Sequence, residues 1–546
     1  ADNIVIRGSS TDKFFPFIRY LPTEDKYRLD AYWGNSLKVI QRTSTMINST
    51  ALDDDAMKNK IGEAYYLRGL CYFYMVNTWG RPYYQNPETN LGVPIINKYD
   101  PLNDDPKTLP DRSTVKQVYD QAIADMQKAA QLMNSPRGAA YASKEAAWAM
   151  LSRIYLYMGG TWDAPVAANN ELAIKYADSV INSGRYSLLP YDNFKNYNVY
   201  APTDEVQKET IFAISHVAVD YPGNYYSTIG SMYASIQGQG WGEMYASESY
   251  LQLLKQSTRN SVANGGVEDA RQNFIKPQYA LNSAGDKIPA FRFIVDSYEL
   301  KDGSPVKNGY QYIQGELNLV NGTPKQPYEF TDIHKDPETG AIVAQNTYVL
   351  EPTSIPEEFI VRGYKVYQVL NKVMTHCGTQ DSRGEVEYLM QTNRTYPMWY
   401  VYKCSQQNYT VHLYSPIVSR LAEMYLNKAE AYFKNNDNPN ALSNLNVIRR
   451  RATGSEYTAA EFAGNERKLI SDERRLEFAF EAHRTLDVYR NGETMYRDYP
   501  GPHYPLRAYP ATSSRVIQYI PQNEINAYPV KLTQNVMDVN DHITLP

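Results

Sequence analysis

Apolar and small residues recur at helical spacing in three places along the chain. Tyr65-x2-Arg68-Gly69-x2-Tyr72, Trp148-x2-Leu151-Ser152-x2-Tyr155 and Tyr425-x2-Lys428-Ala429-x2-Tyr432 share one frame, with a small residue between two rings. A small side chain there lets a second helix come close, while the flanking rings wedge between neighbours. Each copy is followed by an amphipathic stretch with apolar positions spaced by four and three. These are Ala122, Met126 and Ala129; Ala173, Ala177 and Val180; and Ala441, Leu445 and Ile448. The pattern predicts three helical hairpins, the first two interrupted by insertions at 80–112 and 159–168. A helix over 36–48 precedes the first hairpin, and another over 470–490 follows the last, with Ser471-Asp472-Glu473 as an acidic start. The first ring-rich stretch, GEAYYLRGLCYFYMVNTWGRPYY at 62–84, is predicted to be a packed helix that breaks at Gly80 and Pro82. Glu63 and Arg68 speak against its being a lipid anchor.

Such a ring–small–ring helix followed by a second apolar helix is the pattern of the 34-residue tetratricopeptide unit. Only the third copy, from Ala429 to Ala441, keeps the spacing of an uninterrupted unit. Between the second and third copies the helical period is lost. Residues 186–414 are rich in Gly, Pro, Asn and Tyr, with strand-like runs at 209–215 and 358–369. Their ring content predicts order, because disordered segments are poor in aromatics. The predicted fold is mainly α: a tetratricopeptide-like helical superhelix over about 30–185 and 415–492. It packs against a large irregular region with short strands, about 186–414, plus a proline-rich tail, 493–546. Residues 1–546 are read as a single unit.

Composition narrows the function. Tyrosine stands out, with 49 Tyr against 15 Phe and 6 Trp, which favours rings with a polar tip at half-buried positions and contact surfaces. A net charge of −5 provides no basic stripe for nucleic acid. Cys71, Cys377 and Cys404 fit neither a disulfide framework nor a zinc site. No run of 18 apolar residues spans a bilayer, and the opening ADNIVIRGSS lacks the regions of a signal peptide. That last absence has no weight if the chain is a mature or trimmed form. Nucleophile elbows, HExxH, P-loops and GxGxxG are missing, and the seven histidines are scattered. Glu385 and Glu387 have the types of a glycosidase pair, but 60 acidic residues supply many such pairs. The clusters Asp53-Asp54-Asp55 and Asn103-Asp104-Asp105 lack the glycine and spacing of an EF-hand and read as loops or helix starts.

Five stretches together resemble the SusD/RagB-like family, the surface nutrient-binding lipoproteins of Bacteroidetes. They are residues 62–84, DRSTVKQVYDQAIADMQKA (111–129), SPIVSRLAEMYLNKAEAYF (415–433), ISDERRLEFAFEAHRTLDVYR (470–490) and YIPQNEINAYPVKLTQN (519–535). They occur in the family's order. Ala482 stands where the family often has Gly, and Tyr489-Arg490-Asn491 replaces a common Lys/Arg-Arg-Trp. The resemblance implies a non-enzymatic protein at the outer membrane, facing the exterior as a lipoprotein whose lipid anchor is absent from this chain. It implies capture of oligosaccharides and delivery to a SusC-like TonB-dependent transporter. Peptide capture within the same family, and a plain tetratricopeptide-type protein-interaction scaffold, are the alternatives. No cofactor is implied, with a structural calcium ion left open because some members carry one.

Sugar rings present C–H faces to aromatic side chains while planar polar groups satisfy their hydroxyls. Residues 221–250 fit that chemistry, holding six Tyr and Trp241 among five glycines, with Asn224, Gln237 and Gln239 interspersed. In the family's starch-binding member an aromatic arc is built from this region and from the loop before the first helical pair, here YRLDAYWGNS at 27–36. The expected carbohydrate-binding residues are Trp33, Asn35, Tyr225, Tyr226, Tyr233, Trp241 and Tyr245, with no catalytic or metal-binding residues. A few stacked rings on a wet surface predict Kd values of ~10⁻³ to 10⁻⁵ M, or about 4–7 kcal/mol.

Overall fold

Five helices follow one another and pack in chain order: α1 (Leu29–Ser49), α2 (Asp55–Trp79), α3 (Val115–Leu132), α4 (Lys144–Tyr157) and α5 (Ala167–Ile181). The computed structural model describes residues 2–6, 13–21, 23–221, 226, 228–503, 507–538 and 541. After α5 the chain leaves this scaffold, adding α6 (Glu248–Ala263) on the way. It returns as α7 (Leu421–Lys434), which packs on α5 and α4 and is followed by α8 (Asn438–Thr453), α9 (Glu466–Glu477) and α10 (Arg484–Arg490). The small residue of each frame sits at a helix contact. A Cβ on Gly69 would lie 3.0 Å from the Asp125 Cβ and 3.1 Å from the Ala122 carbonyl of α3. Ser152 donates to the Ala173 carbonyl of α5 at 2.9 Å, and Ala429 is buried in α7. Asp54 accepts from Met57 N at 2.6 Å to cap α2, and Thr114 with Gln117 forms a capping box on α3.

Two helix boundaries differ from the sequence reading. The first helix begins at Leu29 rather than 36, so YRLDAYWGNS is mostly helix and not a display loop. The element expected over 470–490 is two helices, with Ser471 inside α9 rather than at its start. They are separated by a bend at which Phe480 (φ 67°) and Ala482 (φ 63°) are left-handed. Glycine reaches that conformation freely, whereas the Cβ of Ala482 is crowded there.

The larger departure lies in the intervening region, which was expected to be irregular in a mainly α chain. It holds a six-stranded antiparallel sheet of β1 (Pro289–Lys301), β2 (Ser304–Glu316), β3 (Glu329–Lys335), β4 (Ile342–Pro352), β5 (Glu358–Leu370) and β6 (Val373–Tyr388). The spatial order is β2-β1-β6-β5-β4-β3. Contact of Leu317 with Phe330 and the Asn318 N–H on the Glu329 carbonyl at 2.8 Å bring the two edges together, so the sheet curls around its own core. Phe291, Phe293, Phe330, Tyr348 and Tyr364 fill that core. The fold is therefore mixed, a helical scaffold carrying a substantial β module.

What joins scaffold and intervening region is a buried ionic network. Arg420, at the start of α7, contacts Glu209 Oε1 at 2.7 Å, Glu481 Oε2 at 2.9 Å and Glu477. Arg451 of α8 also reaches Glu209, at 2.9 Å, and Glu477. Arg271 binds Asp269 and Glu473 at 2.6 Å each, and Lys403 binds Glu481 at 2.6 Å. A neighbouring cluster joins Glu430 of α7 to Arg490, with Asp487 held by Arg490 at 2.7 Å and Arg474 at 3.1 Å. All these side chains are at least nine-tenths buried. Burial pushes the Glu481 carboxyl up, but Arg420 and Lys403 more than offset it and hold it at about 2. Asp487 stands at about 2 by the same balance, with Arg474 and Arg490 outweighing burial.

Because removing one partner strands the others' charges, Glu477→Gln is expected to cost about 3–5 kcal/mol in urea denaturation. Glu456→Gln, at the exposed Arg450 pair, is expected to cost under ~1 kcal/mol. Both Glu481 and Asp487 have folded pKa values below their ordinary 4.5 and 3.8, so their stabilisation is complete above those values. It is lost as pH falls toward 2, and acid titration followed by circular dichroism is expected to show unfolding in that window.

Candidate functional site

The segment 228–246 crosses the intervening region as a short helix, Ile229–Tyr233, then a tight turn, then the strand Met244–Ala246. Thr228 caps the helix by accepting from Ser231 N. The turn is closed by reciprocal backbone bonds between Ile236 and Gln239, with Gln237 (φ 53°) and Gly238 (φ 76°) at its tip. The chain then folds back on the helix. Trp241 N donates to the Ser231 carbonyl at 2.7 Å, and the Trp241 indole Nε1 donates to the Tyr226 carbonyl at 3.2 Å. The Tyr226 and Trp241 rings meet edge to face, with centroids 5.4 Å apart at 73°. Trp241 is 57% exposed and Tyr226 45% exposed, so the pair offers ring surface to solvent.

A second loop supports the first. Buried His412 reaches the Gln239 carbonyl through Nε2 at 2.8 Å, and Ser405 Oγ lies 3.0 Å from its Nδ1. Burial pushes the His412 imidazole below its ordinary value, so the ring is neutral at neutral pH. A carbonyl can only accept, so the proton sits on Nε2, and Nδ1 accepts from the Ser405 hydroxyl. Gly240 (φ 97°) fills the remaining space: a Cβ there would fall 2.3 Å from His412 Nε2 and 2.5 Å from the Ala234 carbonyl. The supporting loop is itself strained, with Gln406, Asn408, Tyr409 and His412 all left-handed. It presents Tyr409, 84% exposed, together with exposed Asn408. Gln407 anchors it to the His216 carbonyl at 3.0 Å.

Of the residues expected from sequence, Tyr226 and Trp241 come together at the surface. Tyr225 lies outside the described residues. Three others are corrected to packing roles, because a ring without an exposed face has nothing to stack a sugar on. Trp33 is fully buried in α1 against Trp79, with centroids 4.8 Å apart. Tyr233 packs on Phe480 under the short helix. Tyr245 is fully buried, stacks on Tyr400 and donates to the Gly242 carbonyl at 2.6 Å. Asn35 is exposed, but on α1 beside buried Trp33. Sequence reasoning missed Tyr409, whose display follows from backbone conformation rather than from any spacing.

The arrangement suits stacking and hydrogen bonding. Exposed Gln237 adds a planar amide at the turn tip. Glu385 and Glu387 do not stand as a free acid–base pair: Glu385 is bonded to Lys255, and Glu387 to Arg292 and Tyr279. No group of three or more His, Cys, Asp or Glu side chains placed to hold a metal ion occurs among the described residues. Gly240→Ala is expected to destabilise the chain by about 1–3 kcal/mol and to speed amide exchange over 234–243. Exchange in α2 to α5 is expected to stay unchanged. Unaltered exchange at 234–243 would show that the His412 contact does not set this loop.

Comparison with known proteins follows the same outline. A sequence profile described as the SusD family matches residues 208–540, and one described as starch-binding, associating with outer membrane, matches residues 19–156. A SusD-like protein of Formosa agariphila is 23% identical over 473 residues, 84% of this chain and 69% of that protein. Among solved structures, a SusD superfamily protein from Bacteroides thetaiotaomicron superposes with a TM-score of 0.64 at 22% identity, covering 98% of this chain and 92% of that one. A SusD-like carbohydrate binding protein from Bacteroides vulgatus gives a TM-score of 0.57 at 15% identity, covering 100% and 90%. With its profile spanning residues 208–540 and its fold shared over nearly the whole length, the chain belongs to the SusD family.

Proposed function

We propose that this protein captures oligosaccharides at the outer face of the outer membrane and hands them, chemically unaltered, to a SusC-like TonB-dependent transporter. The observation that carries the reading is the exposed Tyr226–Trp241 pair on a braced loop. Large rings held out to water on a stiff support suit the C–H faces of sugars, and the neighbouring amides suit their hydroxyls. Membership of the SusD family supports the ligand class, as does the profile described as starch-binding and associating with outer membrane. No helix among the described residues is long and apolar enough to cross a membrane, and the reading places the chain on the surface through a lipid anchor. Glu385 and Glu387, which have the residue types of a glycosidase pair, are tied in ion pairs, which supports binding without turnover.

The test is a glycan-array screen of wild type and Trp241→Ala side by side. The wild type is expected to retain one oligosaccharide class, and Trp241→Ala to weaken that binding by about tenfold or more, roughly 1.4 kcal/mol. Equal binding by the variant would remove Trp241 from the site. A wild type that holds peptides and no glycan would replace the carbohydrate reading with peptide capture.

A further inference from the structure

The strand Trp399–Val401 has two sides. Tyr400 points under the braced loop, its hydroxyl 3.3 Å from where a Cβ on Gly242 would stand. Successive strand residues face opposite ways, and Trp399 turns instead toward a cavity of about 190 Å³ between α6 and the sheet. One wall is a single face of α6, carrying Glu248, Gln252 and Lys255. The other carries Arg292 of β1 and Glu385 of β6, with Trp399 closing the end. Lys255 and Arg292 both lie near the indole, at 5.8 and 5.2 Å from its centroid.

The charges decide what such a cavity can hold. Lys255 is bonded to Glu385, Arg292 to Glu387 and Arg383 to Glu358, so each cation at the wall is matched by a carboxylate and the cavity carries no strong field of one sign. An anion entering it meets Glu248 and Glu385, and a cation meets Lys255, Arg292 and Arg383. A hydroxyl, which both donates and accepts, uses both kinds of wall group. Arg292 is nine-tenths buried, and its guanidinium is held at the wall by Glu387. At about 190 Å³ the cavity has room for a single sugar ring.

We propose that this cavity is a second saccharide subsite, which takes one neutral sugar unit and lies back to back with the Tyr226–Trp241 surface across the Trp399–Val401 strand. The subsite rests on the carbohydrate reading of the protein, but it uses none of the same side chains. Gln252, exposed on α6, lies at the cavity wall, so Gln252→Trp fills it without touching the core.

Saturation-transfer NMR with methyl glucoside, methyl galactoside, methyl mannoside and N-acetylglucosamine, each at millimolar concentration, separates the two sites. At least one probe is expected to give a signal with wild type that persists in Trp241→Ala and falls about tenfold in Gln252→Trp. Glu385→Gln, which keeps the shape of the wall, is expected to weaken the same signal. A signal lost in Trp241→Ala and indifferent to Gln252→Trp overturns the subsite while leaving glycan capture intact. Wild type that binds array glycans but none of the four probes overturns it too, whereas failure on the array as well removes the carbohydrate reading itself.

Discussion

Taking a charge out of water costs several kcal/mol, and only a complete set of partners offsets it. This chain buries such a set where α7, α8 and α9 meet the intervening region, through Arg271, Lys403, Arg420 and Arg451 against Glu209, Asp269, Glu473, Glu477 and Glu481. Its members come from segments more than 250 residues apart, so no segment can slide without stranding a charge. Hydrophobic contacts alone tolerate small shifts, whereas bidentate guanidinium contacts do not. The network thus fixes the register in which 186–414 leaves the helical scaffold and returns to it. The second cluster, around Glu430 and Asp487, extends the same lock to α10.

That lock is what makes a surface site on loops workable. Lys403 and Arg420 flank the segment bearing Ser405, Tyr409 and His412. His412 then braces the turn that presents Trp241. A left-handed, non-glycine loop costs of order 1–3 kcal/mol per strained residue and persists only where its surroundings hold it. Here both ends are held, one by buried ions and the other by α7. Rigid support matters for weak ligands, since each loop ordered on binding would subtract from an affinity that is small to begin with.

The helical part was legible in the sequence because one requirement, close approach at Gly69, Ser152 and Ala429, leaves a small residue between two rings every time. The sheet was not legible, and the reason lies in its faces. β4 puts Val343 and Val349 outward while Tyr348 and Leu350 point to the core, so apolar residues fall on both faces and the alternation is erased. β6 is largely polar, and Ser382 is its one buried residue. Composition singled out Trp241 and Tyr226, which are exposed, together with Tyr233 and Tyr245, which are buried, because the four differ only in which way the folded chain turns them. Trp33 misled for a similar reason: a ring near a helix start reads alike whether it packs or is displayed, and the helix begins four residues before it. Tyr409 depends on left-handed residues that no spacing marks.

The decisive measurement is a crystal structure of the protein with a retained oligosaccharide. A sugar ring is expected to lie against the Trp241 face within ~4 Å, with hydroxyls near Gln237 or Asn408 and the His412-braced turn unmoved. Sugar bound on the helical scaffold, away from both Trp241 and Tyr226, would contradict it.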